Sequence, residues 1–325
     1  MSYLIIKALA PIITIMLLGF WAGKSRLVDN HNVSLLNIFL MDFALPGALF
    51  LATVQTPWDG IVKQMPLIVV LALSMWIAYA LIYLAAVKIS SKSSQDAAVL
   101  ALTVALPNYA ALGLPILNGV FGESTGISLN VAISISCGAV LLTPFCLMML
   151  EAGKAAQSGT HASIGALLPK LVYLSFKKPI VFGPLVGVLG SALLGTAGLQ
   201  VPELLVVTMK PLAGAALAAA LFLTVVILSA RRLKINAHVL VGTLVKNIGQ
   251  PLIAWVVVML FGIDPEVGRA GILLIALSAG FFGVVFGNRF GVQSPDAEGA
   301  LLVSTAAFVL TIPLFIIFTS TMIAS

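Results

Sequence analysis

Charge is what this chain has least of. Only 9% of its 325 residues are Asp, Glu, Lys or Arg, against 61% hydrophobic, and the mean hydropathy is +1.15. A soluble domain carries about 25% charge, and no soluble core of this length hides so much apolar surface. A soluble protein is excluded, and an all-α polytopic membrane protein is expected. Acids are scarcer than bases, 11 against 17, and Asp42 is the one acid well inside an apolar run. Membrane-embedded enzymes need paired carboxylates, metal ligands or an activated nucleophile, so no enzyme is expected. His31, His161 and His238 are the only histidines. They fall in loops or at helix ends, too far apart in sequence to suggest a metal site. The two cysteines, Cys137 and Cys146, share one apolar segment at a spacing that rules out a disulfide within a helix. The bases are scattered through short loops without interleaved aromatics, which argues against nucleic acid as a partner.

What the chain has in place of charge is apolar runs of about 20 residues, the length that crosses a bilayer. Ten are expected: 4–22, 34–54, 66–87, 97–118, 126–149, 179–197, 204–229, 239–261, 268–288 and 299–322. The first has a single Lys7 near its start and no small-x-small pattern at its end, so a retained helix is expected there, not a cleaved signal. The longest polar connection, 151–177, separates a first half, 1–150, from a second, 178–325, with five helices in each. In alternate loops, twelve Lys and Arg fall on one side, and Lys7, Lys63, Lys210 and Arg269 on the other. The richer side should be cytoplasmic. This places 151–177 in the cytoplasm and both termini on the outer side.

Residues 106–118, Leu-Pro-Asn-Tyr-Ala-Ala-Leu-Gly-Leu-Pro-Ile-Leu-Asn, lie inside the fourth run. Pro107, Gly113 and Pro115 predict a broken helix over 107–115, because proline removes a donor and clashes with the carbonyl four residues back. Within a bilayer the freed groups must be satisfied by protein, ions or water. The ninth run carries a glycine-rich counterpart at 277–288, with Ser278, Gly280 and Gly283. Helices two and seven share a Pro-Gly-Ala-rich stretch (45–51 and 210–217). Helices five and ten share a Leu-Thr…Pro-Phe-like ending (142–145 and 310–315). The common order predicts two repeats, and five helices per repeat forces the second to insert upside down. Interrupted helices in corresponding positions point to a transporter's binding site.

Several side chains near these breaks are candidates for substrate contact. Asn108 offers an amide and Tyr109 a hydroxyl beside half-helix N-termini, whose free N–H groups favour a carboxylate. Asn118 adds a second amide beside the break, read in a coupling or structural role. Lys246 stands within helix eight, an expensive place for a cation and by default a functional position. It is read as a substrate or coupling contact, as a chain snorkelling to the interface, or as the partner of an acid. Gln250 lies one turn on. Asp42 is a candidate proton carrier, a counter-charge for Lys246, or a structural or interfacial residue away from direct substrate contact. Asn130 and Ser134 share a helix face, either lining a cavity or bonding between helices. Asn288 and Arg289 end helix nine, Asn288 read in a coupling or structural role and Arg289 as a topology and headgroup anchor or as a guard of a cytoplasmic entrance. The stretch Gly19–Ser25 fails as a phosphate loop in both spacing and context. Gly183, Gly187 and the alanine-rich 213–220 are small-residue faces suited to close helix packing.

The run Leu106-Pro107-Asn108, Gly113-Leu114-Pro115-Ile116-Leu117-Asn118 and Phe121-Gly122 resembles the fourth-helix signature of the auxin efflux carrier family. Within that family the chain looks most like bacterial malonate transporters associated with malonate decarboxylase systems. The resemblance implies inverted five-helix repeats with helices four and nine crossing at their breaks. It also implies a dimerising scaffold of helices one, two, six and seven, and a moving transport domain of helices three to five and eight to ten. It makes Asn108 a carboxylate contact and implies the inner membrane of a bacterium. This chain departs from the plant members in the ninth helix, where Ser278-Ala279-Gly280 replaces Pro-Gln-Gly. The expected activity is malonate uptake by proton or sodium symport with an elevator-like movement. Export or uniport of another carboxylate, or a sensor that does not transport, stand as alternatives. No cofactor is expected beyond a co-transported ion. The expected partners are a small carboxylate, the lipid bilayer and a second copy of the chain.

Overall fold

A computed structural model describes residues 10, 14, 15, 17–30, 32–56, 64–122, 125–157, 177, 179–229 and 235–324. The start of helix one, His31, Lys63, most of the 151–177 linker with His161 and Lys170, Lys178, Arg231, Arg232 and Lys234 lie outside the described residues. Residues 17–24 are helical. The elements that follow are α1 Ser34–Ile38, α2 Leu45–Val54, α3 Met65–Lys88, α4 Ser94–Ala105, α5 Tyr109–Phe121, α6 Thr125–Cys137 and α7 Thr143–Gln157. Then come α8 Pro179–Thr196, α9 Glu203–Ser229, α10 Ala237–Leu244, α11 Gln250–Leu260, α12 Pro265–Ile275, α13 Phe282–Arg289 and α14 Pro295–Ala324. Among the described residues there is no strand, only one isolated bridge between Pro107 and Ala279. Four continuous helical stretches are long and apolar enough to cross a membrane: 65–88, 133–154, 237–260 and 295–322.

Three of the joints between helices are wider π turns. Phe39–Ala44 joins α1 to α2, Gly138–Leu142 joins α6 to α7, and Val245–Gly249 joins α10 to α11. Each is followed within two residues by proline: Pro46, Pro144 and Pro251. A proline ring clashes with the carbonyl four residues back, and one π turn moves that carbonyl aside without ending the helix. Proline alone does not dictate the widening, since Pro211 and Pro313 lie inside α9 and α14.

The chain divides into two compact units. The first holds residues up to Met65, Tyr109–Val140 and Lys178–Leu233. Its helices approach closely through small residues. A Cβ on Gly183 of α8 would sit 2.6 Å from the Pro46 carbonyl of α2, and one on Gly187 would sit 2.7 Å from the Phe50 carbonyl. The expected small-residue face at 183–187 is therefore a helix contact, as in close membrane packing. Within the same unit α5 lies against α6, where Gly113 faces Val131.

The second unit holds Pro66–Asn108, Leu141–Lys177 and Lys234–Ser325. Here α4 packs against α7, α13 and α14, and an aromatic cluster of Trp76, Tyr79 and Phe145 joins α3 to α7. One face of α14 leaves Leu310, Leu314 and Ile317 exposed at 75, 60 and 58%. Spaced at three and four residues, they form an outward apolar stripe suited to lipid.

Candidate functional site

The break in helix four is shorter than the sequence suggests. It is confined to Leu106–Asn108, and α5 runs unbroken from Tyr109 through Gly113 and Pro115. Leu106 is extended, with φ −94° and ψ 109°. Helix nine breaks at 276–281, between α12 and α13. The two extended pieces pair in antiparallel fashion at Pro107 and Ala279.

Every buried backbone group must find a partner, and the crossing shows where those freed by the breaks find theirs. Pro107 has no N–H to give to Thr103, four residues back. The Thr103 carbonyl instead accepts from the Gly280 N–H at 3.2 Å. The Asn108 N–H donates to the Ser278 carbonyl at 2.9 Å. The Ala105 carbonyl, at the end of α4, accepts from Gln250 Nε2 at 2.6 Å. The Ile275 carbonyl, at the end of α12, accepts from Lys246 Nζ at 2.8 Å, and the same Nζ donates to Gln250 Oε1 at 2.7 Å. The Ala279 N–H donates to Ser304 Oγ of α14 at 2.9 Å. That hydroxyl donates on to Asn247 Oδ1 at 2.6 Å, while Asn247 Nδ2 donates to the Ser304 carbonyl and to Thr311 Oγ1. Close approach of the two backbones demands glycine: a Cβ on Gly280 would fall on the Leu106 carbonyl oxygen, and one on Gly283 on the Val99 carbonyl oxygen.

Lys246, Gln250 and Ser278 are fully buried, and Asn108 is 7% exposed. Lys246 therefore does not snorkel. Among the described residues its partners are an amide and a backbone carbonyl, not a carboxylate. Two polar atoms at the crossing remain buried with no hydrogen-bond partner, Asn108 Oδ1 and Ser278 Oγ. Helix α13 begins two residues after Gly280 with no side-chain cap at Phe281, so its first N–H groups carry no side-chain acceptor. Asn108 immediately precedes the first residue of α5. Unpaired buried polar groups of this kind fit a ligand site.

The structure thus brings Pro107, Asn108, Lys246, Gln250, Ser278 and Gly280 together in the second unit. Tyr109, Gly113, Asn118, Asn130, Ser134 and Asp42 belong to the first unit. Tyr109 is buried. Asn118 Oδ1 and Asn130 Oδ1 have no partner, and Ser134 Oγ donates to the Asn130 carbonyl of its own helix at 2.7 Å. Asp42 is half-buried in the π turn Phe39–Ala44. Asn288 is half-buried near the end of α13 with Nδ2 unpaired, and Arg289 is exposed. Sequence reasoning passed over Asn247 and Ser304. Asn247 had a signal, a third polar side chain in the stretch that holds Lys246 and Gln250. Ser304, a lone hydroxyl in an apolar helix, had none.

A profile of the family described as membrane transport protein matches residues 4–316. The chain belongs to this membrane transport protein family. It is 28% identical over 309 residues, 95% of each chain, to the uncharacterized transporter YfdV of Escherichia coli K12. The proteins of that name from Escherichia coli O157:H7 and Shigella flexneri are similar to the same degree. With its apolar, membrane-length helices the chain is a multi-pass membrane protein of a transporter family. The resemblance to auxin efflux carriers agrees with this family at the level of membrane transport, and the relatives' name states transport without a substrate.

Proposed function

We propose that the chain is a secondary active transporter taking up a small carboxylate, with malonate as first candidate, by cation symport. The observation that carries this reading is the pair of buried unpartnered atoms, Asn108 Oδ1 and Ser278 Oγ, beside the start of α13. With the Asn108 amide turned to present Nδ2, that amide, a hydroxyl and the N–H end of a helix without a side-chain cap are together a donor set for a carboxylate. The buried Lys246 supplies positive charge near the same crossing. Malonate is a dianion near neutral pH. Its entry into a negative interior needs two co-transported cations for neutrality, and more to gain from the potential. The paired breaks support an inverted repeat of five helices within a ten-helix chain. Helices one, two, six and seven, the proposed scaffold, fall in one unit with residues 1–65 and 178–233, a unit that also takes in Tyr109–Val140. Transport by an elevator-like movement, dimerisation through that scaffold and residence in the inner membrane with both termini outside complete the reading.

Purified protein in proteoliposomes tests it. Labelled malonate is expected to accumulate under an imposed cation gradient, with succinate competing and indole-3-acetate failing to compete. If malonate neither enters nor competes with an accepted carboxylate, the substrate is another one. If efflux from loaded vesicles needs no gradient, the protein is a uniporter or exporter.

A further inference from the structure

Besides the N–H ends that suit an anion, the crossing holds the carbonyl ends of the broken helices. Where helices break and cross, the carbonyl ends of the half-helices are negative poles, and transporters place their coupling metal cations against them. Two such ends lie here, Ala105 closing α4 and Ile275 closing α12. Neither faces an empty space. Lys246 Nζ is bonded directly to the Ile275 carbonyl and, through Gln250, is linked to the Ala105 carbonyl. All the groups in this chain of contacts come from the second unit, and both side chains are fully buried. The π turn Val245–Gly249, two residues before Pro251, is what carries Lys246.

We infer that Lys246 and Gln250 together stand in for a free cation at the crossing, Lys246 Nζ on the Ile275 carbonyl end and the Gln250 amide on the Ala105 carbonyl end filling the place that a sodium or potassium ion would otherwise take. This deepens the transporter reading and rests on it for its meaning, but the occupancy itself is a property of the fold. An ammonium resembles a small monovalent cation in charge and in its preference for oxygen ligands. It differs in being tethered: it cannot be released on the far side of the membrane, so it cannot drive uphill uptake as a carried ion does. A sodium gradient acting through the crossing is therefore unavailable to this protein. Gln250 acts as an adaptor here. Its Oε1 accepts from Lys246 Nζ while its Nε2 donates to the second carbonyl, so the linked pair of side chains serves two helix ends.

The test is the thermal stability of the full-length purified protein in sodium, lithium, potassium or choline chloride at matched ionic strength. Wild type is expected to melt at the same temperature in all four. A rise of several degrees specific to sodium, lithium or potassium would show a metal ion binding beside Lys246 and overturn the inference. Lys246→Ala is expected to melt roughly 5 °C or more below wild type and to regain part of that loss in sodium or ethylammonium chloride, which can enter the vacated space. Lys246→Met fills the space without charge. It should melt lower than wild type and respond to no added cation. A Met variant as stable as wild type, or a folded Ala variant indifferent to every cation, sinks the idea. If neither variant folds, the wild-type salt series decides alone. Failure of malonate uptake would count against the proposed function and leave these melting results intact.

Discussion

The two breaks at the crossing do the same job with different chemistry. Helix four is broken by Pro107, which cannot donate to Thr103, and the chain leaves the helix over Leu106–Asn108. Helix nine has no proline at 276–281 and breaks over glycine, alanine and serine. The first break is imposed from within its own segment by a ring. The second is held open from outside: Gly280 N–H is used on Thr103, Ala279 N–H on Ser304, and the Ser278 carbonyl on Asn108. The carbonyl ends differ too, one capped by the Gln250 amide and the other by the Lys246 side-chain nitrogen. A break made by proline survives loss of its neighbours, whereas a break made by glycine depends on them.

The substitution that tests this hardest is Gly280→Ala. A Cβ there meets the Leu106 carbonyl oxygen, backbone that cannot swing away as a side-chain tip does. The expected cost is about 3 kcal/mol or more, read as a large fall in melting temperature or loss of monodisperse protein. A near-wild-type melt would mean that the two extended pieces are not in contact. Next in size is Gln250→Leu, which leaves the Ala105 carbonyl and one Lys246 donor without partners. Stranding buried polar groups costs about 1–3 kcal/mol. Malonate-independent melting should show it, and an unchanged melting temperature would refute the adaptor role.

Asn108→Ala separates stability from binding at the same break. The residue holds the crossing through its backbone N–H, while its side-chain Oδ1 holds nothing. Melting should therefore stay within about 0.5 kcal/mol of wild type. Carboxylate affinity should fall about 10- to 100-fold, as loss of a hydrogen bond to a charged group requires. The opposite pattern, weak folding with intact binding, would make Asn108 a structural cap.

This asymmetry also explains what was legible in the sequence. Pro107 announces a break because its effect is local and chemical. Its length was overread to 115, since Gly113 and Pro115 are breakers by propensity, yet α5 runs through both. The break in helix nine was visible mainly as a counterpart in the repeat, because glycine permits a break without forcing one. Lys246 and Gln250 stood out as polar residues in an apolar run. Their partners did not, because a backbone carbonyl such as Ile275 or Ala105 carries no mark in the sequence. Ser304 was invisible for the same reason: a hydroxyl in a membrane helix can bond its own turn, and only the fold shows that it serves Ala279.

The smallest expected effect lies at the ends of the helices that hold the two breaks. Lys92, in the turn before α4, donates to Asp96 in the first turn of α4 at 3.0 Å and pairs with Asp296 in the first turn of α14 at 2.8 Å. It thereby ties the helix that carries the proline break to the helix whose Ser304 supports the glycine break. Partial burial lowers the Lys92 pKa, but the hydrogen bonds to Asp296 and Asp96 outweigh it and leave the value raised above the usual 10.5. A raised folded value means that the stability from Lys92 is fully present below 10.5 and is lost as pH climbs through the higher folded value. Lys92→Met should cost about 0.5 kcal/mol at neutral pH, the scale of a partly exposed pair. It should also abolish the part of the alkaline fall in melting temperature that this lysine causes. If the variant and wild type melt in parallel from neutral to strongly alkaline pH, the pair contributes nothing, and each break must be held by the crossing itself.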